Sequence, residues 1–258
     1  MLSPQISIRR NHTQSYFKMK STSMRTIAIL ALAVIFALPA LAQRVKGNGN
    51  LIEKTRQVGA FESLGVSGSF DVYLQKGQEG RIELSVEENL EPYLETEVSG
   101  GTLKVRWKKG ANIRTTKKTT ITVHFEEISG VALSGSGDII SRDQISSETM
   151  DIALAGSGDI NLDLKVRELT AAVSGSGDIE LSGVCKIFDG AVAGSGDIKA
   201  YDLKADKGEL KISGSGTIHA TVEKELSARI SGSGNIRYKG SPRIEDIKIS
   251  GSGNVSTY

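Results

Sequence analysis

The 258 residues carry 32 basic and 30 acidic side chains, a formal charge of +2, with few aromatics and a single cysteine. A near balance of charge excludes a dominant basic surface for nucleic acid. One cysteine excludes a disulfide within the chain, so stability has to come from packing.

From Met24 the chain reads Arg25, an apolar run from Ile27 to Leu38, then Pro39 and Ala40-Leu41-Ala42. A charged start, a short apolar core and small residues before the break predict a secretory signal peptide cleaved after Ala42. The run is shorter than the roughly 20 residues of a membrane span, so no integral span is expected after cleavage. The residues before Met19 fit no part of such a peptide, which makes Met19 or Met24 a better start than Met1. Residues 1–42 hold five basic side chains and no acid, so the remaining 216 residues carry 27 basic and 30 acidic groups. The expected address is outside the cytoplasm: periplasm, cell surface or extracellular space.

Residues 43–129 read as an N-terminal β region, either the first coils of a solenoid or a cap on its edge. Alternation of apolar and polar residues runs through Ile82–Val86, Leu103–Trp107 and Ile121–Phe125, and Val66–Val72 is a degraded copy of Leu133–Ile139. Gly100-Gly101 predicts a hairpin turn, and only Glu88–Thr96 suits a short helical turn.

Residues 130–258 are a repeat. The nine-residue unit Val131–Ile139, which contains Ser-Gly-Ser-Gly-Asp-Ile, recurs in seven copies starting at Val131, Ile152, Ala171, Gly190, Leu210, Ala228 and Ile247. The starts lie 21, 19, 19, 20, 18 and 19 residues apart. A period near 20 without helical spacing predicts one coil of a parallel β-helix, an all-β solenoid with coils of about 19 residues. Strand parity puts Val131, Leu133, Gly135, Gly137 and Ile139 on one face and Ala132, Ser134, Ser136 and Asp138 on the other. Two inward columns result: Leu133, Leu154, Val173, Val192, Ile212, Ile230, Ile249, and Ile139, Ile160, Ile179, Ile198, Ile218, Ile236, Val255. The glycines would let the coil bend tightly or pass close to the axis.

Several segments resemble the putative auto-transporter adhesin, head GIN domain family. They are Gly59-Ala60-Phe61-Glu62, Val66–Val72, Leu90 and Leu94-Glu95-Thr96 with Gly101-Thr102-Leu103, and the run of Gly-Ser-Gly-Asp-Ile motifs. The resemblance covers residues 57–255 as one domain. It implies an exported right-handed parallel β-helix with no assigned catalytic residues. An auto-transporter would need a C-terminal translocating barrel, and these 258 residues end at Tyr258 inside the last repeat, so self-translocation is not expected.

The outward aspartates are the first candidate site. Asp138, Asp159, Asp178 and Asp197 form one column, which changes to Thr217, Asn235 and Asn254. Aligned carboxylates favour hard cations or sugars, but about 5 Å apart they repel by roughly 1 kcal/mol per neighbour. Asp, Asn and Thr are also turn residues that accept backbone N–H bonds, and the exchange of Asp for Thr fits that role better. No metal or cofactor is expected. His124 and His219 lie far apart, and no nucleophile elbow or isolated carboxylate pair interrupts the repeat, so no catalytic group is assigned. Lys104, Arg106, Lys108, Lys109, Arg114, Lys117 and Lys118 form a basic cluster near the acidic stretch Glu87–Glu97, read as a lysine-protected strand edge rather than a patch for anionic glycan. Trp107 is expected in the core of the cap. Cys185 is expected buried beside Val184 and Ile187 and inert. The resulting expectation is a non-catalytic, adhesin-like exported module whose partner is a cell-surface glycan or envelope protein. The alternatives are a structural or oligomerising envelope module, or a polysaccharide-active enzyme.

Overall fold

The computed structural model describes residues 44–258, so the expected signal segment and its cleavage after Ala42 lie outside the described residues. Nine short strands come first: β1 (Arg44–Lys46), β2 (Leu51–Gln57), β3 (Ser63–Gly68), β4 (Asp71–Lys76), β5 (Arg81–Glu87), β6 (Leu94–Ser99), β7 (Thr102–Trp107), β8 (Asn112–Arg114) and β9 (Thr120–Phe125). The repeat forms β10 (Gly130–Gly135), β11 (Asp138–Ser141), β12 (Ile145–Gly156), β13 (Ile160–Gly175), β14 (Ile179–Gly194), β15 (Ile198–Gly214), β16 (Thr217–Gly232), β17 (Asn235–Lys239), β18 (Arg243–Gly251) and β19 (Asn254–Thr257).

The repeat is a parallel β-solenoid, and its columns are those parity predicts. Leu133 pairs with Leu154, then Val173, Val192, Ile212, Ile230 and Ile249 in unbroken register. The Ile139 column is equally regular down to Val255. From Leu133 to Ile230 no member of the first column is more than 3% exposed. Each such side chain contributes about 1.5–3 kcal/mol by leaving water.

Coil length decides where alternation breaks. Side chains alternate with period two, so a 19-residue coil has to slip by one residue once per turn. The slips are visible as adjacent outward pairs, Arg167-Glu168 between buried Val166 and Leu169, and Lys186-Ile187 between buried Cys185 and Phe188. The 20-residue coil slips twice, at Tyr201-Asp202 and Asp206-Lys207, where the register with β16 also breaks. Ile187 is outward by this rule, as is Val184, so Cys185 is buried without them as partners.

The Gly-Ser-Gly corner bends as expected, its first glycine at positive φ (138° at Gly175), and it is also fixed by the coil beneath it. The Gly156 carbonyl accepts from the N–H groups of Ser176 (2.9 Å) and Gly177 (3.1 Å) in the next coil, and this bond pair recurs up the stack. Carbonyls therefore point along the solenoid axis at each corner. A Cβ on Gly177 would run into the Gly158 carbonyl oxygen, well inside van der Waals contact. Glycine is demanded by the neighbouring coil rather than by closeness to the axis.

The N-terminal half joins the stack out of chain order. β3 and β4 lie in register under β10 and β11, with Gly68 on Gly135, Asp71 on Asp138 and Val72 on Ile139. β7 and β9 then lie under β3 and β4, again parallel. The chain thus lays down the second layer first, builds the terminal layer, and crosses back through residues 126–129. In the degraded motif Phe70 replaces the second glycine. It is fully buried against Trp107, ring centroids 4.9 Å apart, because the layer below has no glycine corner to collide with.

Antiparallel strands close this end. β6 pairs with β7 through a turn at Gly100-Gly101, both at positive φ (59° and 72°) as a two-residue hairpin requires. β5 pairs with β9, and β2 with β5; β1 pairs separately with β8. The expected helical turn is a short 3-10 segment, Glu91–Tyr93. Arg56 of β2 donates to the Leu94 carbonyl (2.6 Å), the Glu91 carbonyl (3.1 Å) and the Glu91 carboxylate (2.6 Å), tying β2 to β6. Glu87, fully buried, accepts from Gly49 N–H (2.6 Å), Thr116 N–H (2.8 Å) and the Thr116 hydroxyl (2.5 Å). Burial alone would raise its pKa; the Thr116 hydroxyl and the N–H groups of Thr116, Gly49 and Lys117 outweigh that and hold it at about 2.

Two outcomes test the corner and the cap. Gly177→Ala should lower stability by about 3 kcal/mol or more in thermal melts, because the backbone carbonyl it meets has no room to yield. Ser176→Ala, on the exposed side of the same corner, should cost less than about 0.5 kcal/mol. For Glu87, the carboxylate's contribution is complete above its ordinary value of 4.5 and lost as pH falls towards about 2. The melting difference between the native chain and Glu87→Gln should therefore be constant near neutrality and shrink below pH 4.5. A difference independent of pH would show that Glu87 is not held ionised.

Candidate binding face

The aspartate column is a hydrogen-bond ladder between coils. Asp138 Oδ1 accepts from the Asp159 N–H (3.2 Å), Asp159 Oδ1 from the Asp178 N–H (2.9 Å), Asp178 Oδ1 from the Asp197 N–H (2.9 Å), and Asp197 Oδ1 from the Thr217 N–H (2.6 Å). Each carboxylate thus satisfies a backbone donor that the corner removes from the strand ladder. Where the column changes, the donor changes acceptor: the Asn235 N–H goes to the Gly216 carbonyl (3.2 Å) and the Asn254 N–H to Gly234 (3.3 Å). Lys199 sits over the column, 2.7 Å from Asp178 Oδ2, and that hydrogen bond raises its pKa. Among the described residues no group of three or more His, Cys, Asp or Glu side chains has the arrangement to hold a metal ion.

The remaining sequence candidates are dispersed. In the basic cluster Arg106 bridges Glu95 (3.0 Å) and Glu97 (3.9 Å) on the facing strand, and Lys118 pairs with the nearly buried Asp71. Trp107 is half-buried in the cap against Phe70. Cys185 points inward, and burial, with Asp206 adding to it, pushes its thiol up to about 12. His124 lies on β9 3.4 Å from Glu83, and His219 lies on β16 tilted against Tyr201, ring centroids 4.7 Å apart, so the two are not brought together. Burial lowers the pKa of His219. Tyr201 also meets Tyr258 at 4.9 Å, and the Lys239 ammonium lies over both rings at 4.4 and 4.7 Å, an aromatic cluster that adjacent sequence positions do not reveal.

The feature that sequence reading misses is an outward column of small residues on the arm before the corner. Gly65, Ala132, Ala153, Ala172 and Ala191 stack in register, succeeded by Lys211, Arg229 and Lys248. Ser134, Ala155, Ser174 and Ala193 run alongside. On the other side runs a polar column that includes Asp151, Asp189, Glu209 and Asp246. With so little side chain in the middle, the sheet surface becomes a trough. Depressions of about 320, 350 and 590 Å³ run into one another along it, from Gly65 to Ile249. Seven coil steps of about 4.8 Å make it about 34 Å long. Its far half is edged by ion pairs: Lys211 with Glu209 (2.8 Å), Arg229 with Asp246 (3.1 Å) and Lys248 with Asp246 (3.2 Å). Outward alanine at 132, 153, 172 and 191 is the signal that the sequence offers.

The family described as putative auto-transporter adhesin, head GIN domain, matches residues 60–242. A crystal structure of a putative adhesin from Bacteroides fragilis NCTC 9343 is 25% identical, with a TM-score of 0.77, covering 83% of this chain and 100% of that one. A putative lipid binding protein from Parabacteroides distasonis ATCC 8503 is 31% identical, with a TM-score of 0.71 and coverage of 84% and 100%. A putative adhesin from Parabacteroides merdae ATCC 43184 is 27% identical, with a TM-score of 0.68 and coverage of 83% and 99%. No curated protein matches the chain. No helix among the described residues is long and apolar enough to cross a membrane.

The ladder role of the aspartates has a direct consequence. Asp178→Asn keeps an acceptor for the Asp197 N–H and should leave the melting temperature nearly unchanged. Asp178→Ala removes it and should cost about 1–3 kcal/mol. Stabilisation of the native chain by added calcium, lost in both variants, would instead mark the column as a cation row.

Proposed function

Because this chain belongs to the putative auto-transporter adhesin, head GIN domain family, we propose that it is a non-catalytic exported binding module whose trough holds an extended, repeating ligand at the cell surface or in the periplasm, a glycan or an envelope protein. The observation that carries this reading is the trough itself: about 34 Å of surface that presents its groups at one fixed step of about 4.8 Å, small side chains first and then Lys211, Arg229 and Lys248. Small side chains at Ala132, Ala153, Ala172 and Ala191 let a ligand backbone lie close to the sheet, and the flanking serines and acids offer hydrogen bonds at each step. Binding spread over many equivalent coils needs no single indispensable residue. The corner aspartates are already engaged by backbone donors, which leaves them little part in recognition.

A second reading rests on the same surface. The floor between the alanine and serine columns is mainly apolar, and the related protein from Parabacteroides distasonis is described as a putative lipid binding protein. An acyl chain lying along the trough, its charged group at Lys211, Arg229 or Lys248, would use the apolar and basic halves together.

Binding of the full chain to a glycan array, to isolated envelope proteins and to liposomes distinguishes these. Ala172→Arg, which puts a long charged side chain in the middle of the trough, should weaken binding at least about tenfold, as a block at the centre of an interface does. Asp178→Asn should change it less than about twofold, since its carboxylate serves the backbone. The reverse pattern would move the site to the corner. Binding only to liposomes would select the lipid reading.

A further inference from the structure

The two ends of the solenoid are finished differently. At the β7/β9 end the antiparallel strands β2, β5 and β6 cover the terminal layer and Arg56 ties them together. At the other end β18 pairs with β16 on one side, and no other strand among the described residues is in register with it. The inward column therefore emerges there: Ile244, Ile247 and Ile249 are 40, 42 and 43% exposed, while Ile230, one coil below, is 3% exposed. An edge of this kind, with free N–H and C=O groups beside isoleucines, is a template for another strand.

From this edge we infer that the last coil is an interface with a second copy of this chain, joined tail to tail across a two-fold axis at Ile247. At the capped end β2 and β6 are each paired on one side but tied to each other through Arg56, so the two ends do not match, and a two-fold contact uses the open end of each copy and closes. Charge selects the occupant and the register. β18 carries Asp246 and Lys248 on its outward face and Ile247 and Ile249 on its inward face. An antiparallel copy centred on Asp246 or on Lys248 would set like charges directly opposite each other, and one centred on Ile249 would leave both unopposed. Centred on Ile247, the register sets Asp246 against the partner's Lys248 twice, with isoleucine against isoleucine between them. Asp246 already holds Arg229 at 3.1 Å and Lys248 at 3.2 Å, so the two-fold joins two such clusters into one network. Ile247, which continues the inward column of Leu210 and Ala228, would then be covered by its own copy.

The test is the mass of the full chain by light scattering over a dilution series. The expected result is twice the chain mass, falling to a monomer on dilution. Asp246→Lys should raise the dissociation constant about tenfold, since both cross-strand pairs become repulsive. Adding Lys248→Asp to that variant should restore it to within about threefold, because the swapped pairs are again complementary. With an added thiol oxidant, which takes up the two electrons and two protons, Ile247→Cys should form a disulfide-linked dimer through position 247 of both copies, while Glu245→Cys should not; Cys185, buried, takes no part. Thermal melts of each variant at equal concentration separate loss of dimer from loss of fold. A monomeric native chain at the highest soluble concentration would overturn the inference. So would a mass that keeps rising beyond two copies, or equal crosslinking at 245 and 247.

Discussion

At the Gly-Ser-Gly corner, two N–H groups of one coil converge on a single carbonyl of the coil below, and no side chain fits between them. That contact fixes the register of every coil against its neighbour, because a slip of one residue would drive a Cβ into a backbone oxygen. Once register is fixed, position within the coil determines everything else: which side chains stack into the apolar columns, which face water, and how far apart equivalent groups lie. The corner also removes one backbone donor per coil from the strand ladder. The aspartate one coil earlier supplies its acceptor, so the conspicuous acid column belongs to the same constraint as the glycines.

A stack held this way has two ends with unpaired backbone, and the chain spends about a third of its length on one of them. Building the terminal layer from β7 and β9 after β3 and β4 reverses the order in which the layers stack, and β6 and β5 then close it by pairing antiparallel to β7 and β9. Glu87 then links the loops around Gly49 and Thr116 to β5, and Arg56 links β2 to β6. Both do so with charged groups aimed at backbone partners, the strong class of hydrogen bond. The cap shares the apolar core through Ile82, Leu84, Val86, Leu90 and Leu94, but individual charged links place its strands where a repeated corner places those of the solenoid.

This difference explains which parts of the fold are legible in the sequence. Where residues repeat, parity and spacing suffice: the two inward columns, the serine and aspartate rows and the coil period can be read directly, as can the hairpin at Gly100-Gly101, because its chemistry is local. The layer order of the N-terminal half cannot, since β7 and β3 share no motif and their pairing spans a reversal that only tertiary structure shows. Turn chemistry anticipates that the corner aspartates accept backbone N–H bonds, but their donor lies 19 to 21 residues away in sequence, beyond any local turn. The trough escapes sequence reading because alanine carries no chemistry of its own; its meaning lies in being outward in four successive coils. Burial of Cys185 is legible and its neighbours are not, because the parity slip at Lys186-Ile187 turns the next residue outward.

Inward columns keep one character over the whole solenoid, so any specificity has to be written in the outward ones, and two of those change at the same place. Between the coils that carry Asp197 and Thr217 the corner column loses its carboxylates. Between the coils that carry Ala191 and Lys211 the trough column changes from alanine to lysine and arginine. Both changes fall on the same step of the stack, and both move charge in the same direction. The earlier coils present acid at the corner and an apolar trough; the last three present a neutral corner and a basic trough. Since the backbone hydrogen bonds adapt at that step, with Asn235 donating to the Gly216 carbonyl in place of a carboxylate, packing does not force the change. A scaffold of identical coils has no need of such a boundary; it marks where the ion pairs of Lys211, Arg229 and Lys248 with Glu209 and Asp246 replace small side chains along the trough.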